Sequence, residues 1–116
     1  MPTELFKFEG NIDKDAAEKA VNWLVENAEE VARRKAMMVY HEDRLRVVKS
    51  TAMALSDEKS IAAKEAEAYR SGVYETAVEE RRNAVFNYER LMNSKMACIA
   101  TKELFQTFEA SLRHIV

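Results

Sequence analysis

Between Asn11 and Ser71 the sequence contains neither glycine nor proline, and beyond Gly72 it contains neither again. Gly10, Gly72 and Pro2 are the only strong punctuators, so nothing in either long stretch forces the backbone out of a helix. Two long helices are the simplest reading. The composition agrees, with 33% of residues charged and 47% hydrophobic, a helix-forming profile rather than a disordered or β-rich one.

Helix start signals appear at Asn11 or Asp13, either of which can cap a helix whose first turns carry Asp15 and Glu18. Apolar residues then recur at Val21, Leu24, Ala28, Val31, Met38, Leu45, Val48, Ala52 and Leu55, the stripe of an amphipathic helix close to a heptad. Ser56, Asp57 and Glu58 could restart a helix as a cap, yet the run from Ile61 to Tyr69 is rich in strong helix formers. One long helix over 13–70, with a bend allowed near 56, is therefore expected. Ser71 and Gly72 form the turn, with Gly72 as the left-handed residue that ends a helix. The return helix, 73–115, repeats the pattern through Tyr74, Ala77, Val78, Arg81, Val85, Tyr88, Leu91, Met92, Met96, Cys98, Ile99, Phe105, Phe108, Leu112 and Ile115. Its second half should carry the densest core.

Residues 1–12 alternate polar and apolar from Thr3 to Glu9. A lone strand has nothing to pair with, so an arm that packs on a neighbouring helix or subunit is expected. The fold class that results is all-α: a long antiparallel helical hairpin with a short N-terminal arm, packed as an oligomer. At 116 residues there is room for one domain with a modest core.

The oligomer follows from a mismatch of lengths. A helix from 13 to 69 would be roughly 80 Å long, and the return helix is shorter. Trp23, Leu24 and Val31 would then lack an intrachain partner, which with Met38 and Leu45 further along the stripe makes them the expected oligomer interface. The alternative is a break near Ser56 and a three-helix bundle.

Recognised catalytic patterns are missing. His41 and His114 are the only histidines, no Glu-x-x-His spacing repeats, and the two glycines stand alone, so no zinc, di-iron or phosphate-loop site can be drawn. Paired acids such as Glu29–Glu30, Glu65 with Glu67, and Glu79–Glu80 read as solvated helix faces. No catalytic residue, metal or cofactor is expected, and the chain reads as a non-enzyme. Cys98, the single cysteine, lies in an apolar helical stretch and reads as a buried inert thiol in a reducing compartment. The N-terminus lacks a basic start followed by an apolar run, and eighteen apolar residues never occur together, so neither secretion nor membrane spanning is supported and a cytoplasmic location is expected.

Charge is the informative feature. From Met1 to Ala32 eight acids face only Lys7, Lys14 and Lys19. From Arg33 to Lys49 the balance inverts: Arg33, Arg34, Lys35, Arg44, Arg46 and Lys49 stand against Glu42 and Asp43. On a helical wheel Lys35, Arg46 and Lys49 share one edge of the apolar stripe, Arg33 and Arg44 border the other, and Arg34 and His41 fall inside it with Tyr40 nearby. Single-stranded nucleic acid needs cations for phosphate and aromatic or apolar groups for bases. The band supplies the cations. Equally, such residues serve as ordinary solvated or inter-subunit ion-pairing positions of a long helix, and Tyr69, Tyr74 and Tyr88 read more readily as hinge or core packing than as stacking platforms.

The segment from about Glu30 to Ile115 resembles small phage recombination proteins, namely the UvsY-type recombination mediators and related helical phage proteins of DNA metabolism. The residues that carry the likeness are Arg33-Arg34-Lys35-Ala36-Met37-Met38-Val39-Tyr40, Lys49 to Leu55, Ala62 to Gly72, and the ending Ser111-Leu112-Arg113-His114-Ile115. The resemblance implies a ring-forming helical protein that binds single-stranded DNA and helps load a recombinase past single-strand-binding protein in a host bacterial cytoplasm. It gives Arg33, Arg34, Lys35, Arg44, Arg46 and Lys49 the role of phosphate contacts. The acidic first third has no counterpart in that family and suits a protein-docking arm. The rival expectation is a helical oligomeric scaffold that binds another protein through its apolar stripe and acidic N-terminal region.

Overall fold

The computed structural model describes residues 4–115, with Ile115 described as backbone only. The expectations that fall on Met1, Pro2, Thr3 and the Ile115 side chain lie outside what is described. Among the described residues the chain is all-α, with α1 at Lys14–Leu55, α2 at Ile61–Arg70 and α3 at Gly72–Ile115, and no strand. It divides into two compact units, unit 1 from residues 1–32 with 89–116, and unit 2 from residues 33–88.

In unit 1 the N-terminal half of α1 and the C-terminal half of α3 run antiparallel. Asp13 caps α1, its Oδ1 accepting the Ala16 N–H at 2.8 Å. Ala20 and Trp23 of α1 form a buried cluster with Leu91 and Cys98 of α3, and Leu5, Phe6, Leu24 and Val31 pack against it. From Glu4 onward the arm has no regular structure and is tied to both helices. The Trp23 indole N–H donates to the Glu4 carbonyl at 2.9 Å, and the Phe6 N–H donates to Ser94 Oγ at 3.3 Å.

This packing overturns the expectation that Trp23, Leu24 and Val31 have no partner within the chain. Trp23 is 9% exposed. The physical reason is length. α3 runs unbroken for 44 residues against the 42 of α1, so the return helix is not the shorter one. The expected dense core in the second half of α3 is also corrected. Leu91 and Cys98 are buried, but Leu104, Phe108 and Leu112 are exposed, because Lys14, the first residue of α1, already lies beside Phe105 to Arg113.

In unit 2 the long helix does not continue to 70. α1 ends at Leu55, and Ser60 begins α2 afresh with an extended backbone and a side chain that accepts the Ala63 N–H at 3.1 Å. Ser56 contributes to the break, since its Oγ accepts the Glu58 N–H at 3.2 Å and competes with helical bonding. The turn into α3 is likewise made by serine. Ser71, at φ −71° and ψ 145°, donates its hydroxyl to the Ala68 carbonyl at 2.8 Å and accepts the Tyr74 N–H at 3.2 Å. Gly72 is therefore the first residue of α3 rather than a left-handed cap, and among the described residues only Gly10 has positive φ.

Both long helices keep a heptad rhythm. The seam of α1 passes through Met38, His41, Leu45, Val48 and Ala52, spaced three and four apart, and all are at least half-buried. α3 buries every seventh residue: Ala77 and Ala84 in unit 2, Leu91 and Cys98 in unit 1.

Candidate nucleic-acid interface

All six cations expected to meet phosphate lie on α1 within unit 2, which has eleven Lys and Arg against nine Asp and Glu, whereas unit 1 has seven against eleven. The helix splits them into three kinds of position.

The first kind is the seam. Met38 and Leu45, expected at an oligomer interface, are half-buried there, so the chain's own packing takes part of their surface. Arg34 and His41 sit on the same line. Arg34, like Arg33, already has an interaction within the chain. His41 has a side chain 16% exposed, with Nδ1 lying 3.8 Å from Glu80 Oε2 of α3 and the Tyr40 ring edge-on at 5.1 Å. Its Nδ1 is buried and makes no hydrogen bond. One residue on, Glu42 lies 3.9 Å from Arg81 of α3.

The second kind is Lys49, which does not wait for a ligand. Its ammonium donates to Glu65 Oε1 of α2 at 2.6 Å and lies 4.8 Å from the Tyr69 ring centroid. Tyr69 donates its hydroxyl to the same Glu65 oxygen at 3.2 Å. These contacts raise the Lys49 pKa well above its ordinary value, chiefly through the Glu65 hydrogen bond. The Lys49 hydrogen bond in turn lowers the Glu65 carboxyl. Lys49, expected as a phosphate contact, is thus already engaged within the chain: a break at 56–60 brings α2 back onto α1, and its carboxylate takes the ammonium.

The third kind is outward. Lys35, Arg44 and Arg46 are exposed, and among the described residues no carboxylate pairs with any of them. Apolar and aromatic side chains share their faces. Met37, Tyr40, Arg44 and Val47 follow one another at spacings of three and four, which places them along one line of about 15 Å. Tyr40 is 55% and Val47 53% exposed. On the other edge Lys35, Val39 and Arg46 recur at four and seven.

Sequence reasoning named the cations but missed the exposed Met37, Val39 and Val47 among them. The signal was available as a second periodic line one position off the core stripe. It also missed the acceptor on α2, because nothing local links Lys49 to Glu65 across sixteen positions. Among the described residues no group of three or more His, Cys, Asp or Glu is placed to hold a metal ion, and no helix is long and apolar enough to cross a membrane. No family model, curated protein or solved structure matches the chain.

Proposed function

We propose that the protein is a non-enzymatic helical accessory that binds single-stranded DNA through the basic stretch of α1 in unit 2, in the manner of the recombination mediators its sequence resembles. The observation that carries this reading is the outward set: Lys35, Arg44 and Arg46 are exposed without a pairing carboxylate among the described residues, interleaved with exposed Tyr40, Met37, Val39 and Val47. Cations beside aromatic and apolar side chains suit a strand whose bases are free to stack and whose phosphates repeat along it. A recombinase or single-strand-binding protein, and further copies of the chain, are the protein partners that belong to this reading.

Titration of a labelled oligothymidine by fluorescence anisotropy at several salt concentrations tests it. Binding should weaken linearly in log–log form, with a slope of about 0.7 per phosphate neutralised. Binding indifferent to salt, or none at low salt, overturns it.

A second reading, docking of a helical protein partner, is favoured by one feature of unit 1. Ala17, Val21 and Phe105 line an open groove of about 490 Å³ between α1 and α3, with Lys14, Glu18 and Lys102 at its edges. Packing in such a groove would persist in salt that dissolves phosphate contacts.

A further inference from the structure

In unit 2 two donors from different helices converge on one anionic oxygen. Lys49 Nζ of α1 and Tyr69 Oη of α2 both donate to Glu65 Oε1, at 2.6 and 3.2 Å. The Tyr69 ring underlies the ammonium at 4.8 Å, and Tyr74 of α3 meets Tyr69 edge-on at 5.2 Å. An ammonium and a phenol aimed at one oxygen, backed by aromatic rings, form an anion site whose present occupant is a carboxylate of the same chain. A non-bridging phosphate oxygen accepts from the same two donors in the same way.

The site is open to solvent. The side chains of Lys49 and Glu65 are 31% and 40% exposed, and Tyr69 is exposed on the surface of α2. Glu65 lies on a short helix with a single buried residue, Ala68, so its carboxylate can swing into water without loss of core. Lys49 lies three residues from Arg46 on the same edge of α1, about 4.5 Å along its axis.

We propose that Lys49 and Tyr69 form a further phosphodiester subsite for a single nucleic-acid strand, one that Glu65 fills in the free protein and yields to phosphate on binding. The inference rests on the DNA-binding reading and adds to it a built-in competitor. Glu65 sets a threshold: weak anions do not displace a carboxylate held at such short range, whereas a strand already anchored on Arg46 and Lys35 of the same edge presents the next phosphate at high local concentration.

The test is a cycle of four proteins, wild type, Glu65→Gln, Lys49→Gln and the double variant, titrated against the same oligothymidine at several salt concentrations. Glu65→Gln should tighten binding several-fold at an unchanged log–log salt slope, because the strand fills the subsite in both proteins, whereas Lys49→Gln should flatten the slope by about 0.7, the decrement for one phosphate. Adding Lys49→Gln should abolish that gain. A gain that survives in the double variant would come from loosening of α2 or from removal of a charge, and would overturn the proposal. An unchanged affinity in Glu65→Gln, with wild type still binding, would overturn it while leaving the broader reading intact. Failure of both wild type and Glu65→Gln to bind at low salt would remove both.

Discussion

Trp23 of α1 donates its indole N–H to the main-chain carbonyl of Glu4 at 2.9 Å, and that bond joins an arm without regular structure to the buried cluster of unit 1. Leu5 and Phe6 follow directly and pack on that cluster. Trp23→Phe keeps most of the ring and removes the donor, and should cost about 1 kcal/mol. Trp23→Ala also opens a cavity and should cost about 3–5 kcal/mol. Urea unfolding followed by circular dichroism measures both. Equal, small losses would mean that the indole is not a structural anchor.

Cys98 is 0% exposed, and burial pushes its thiol up to about 11. The reactive thiolate is therefore scarce at neutral pH and out of reach. Iodoacetamide should leave the native protein unmodified for hours at pH 7.5 and label it fully in denaturant, with mass spectrometry as the readout. Rapid labelling of the native protein would contradict the packing of Cys98 against α1.

Glu65 gives the docking of α2 a dependence on acid. The Lys49 ammonium, and after it the Tyr69 hydroxyl, hold its carboxyl below the ordinary value of 4.5. A depressed folded-state value means that the stabilisation is present above about 4.5, the unfolded value, and disappears as pH falls through the lower folded one. An acid titration of the amide resonances of Ile61–Arg70 should show this step below pH 4.5 in wild type and lack it in Glu65→Gln. Superimposable profiles would show that the pair does not hold α2.

Ser60 starts a helix of only 10 residues. A helix that short is marginal by itself, so its cap matters more than one on α1 or α3 would. Ser60→Ala should cost about 1 kcal/mol, read as faster amide exchange across Ile61–Arg70. Exchange in Lys14–Val31 of unit 1 should stay unchanged.

The pattern of residues revealed much of this architecture, and its failures have physical causes. The scarcity of glycine and proline announced long helices, and Asp13 announced where the first begins. The apolar stripe from Leu24 to Leu45 was legible, but its partner was not. Periodicity says which face of α1 is buried and nothing about whether α3 or another subunit covers it, so Trp23, Leu24 and Val31 were misassigned. The break at 56–60 was legible only as the alternative to a continuous helix, because strong helix formers follow from Ile61. Serine hydroxyls at Ser56, Ser60 and Ser71 outcompeted propensity by satisfying backbone groups at each junction. Gly72 drew attention by its rarity, yet the turn belongs to Ser71. Of the six cations, composition identified the band but could not sort it, because sorting depends on which carboxylates the fold delivers: Glu65 to Lys49, and none among the described residues to Lys35, Arg44 and Arg46.

The most direct test of the DNA-binding reading is the affinity for single-stranded DNA of a variant carrying Lys35→Gln, Arg44→Gln and Arg46→Gln together. These three side chains are exposed on α1, so the variant should keep the helicity and unfolding midpoint of wild type. With phosphate contacts on both basic edges of α1, its affinity at low salt should fall at least tenfold and its salt slope should flatten by about two, from the loss of roughly three phosphate contacts. A folded variant that binds the strand as tightly as wild type, with the same slope, would contradict a nucleic-acid interface on the basic stretch of α1.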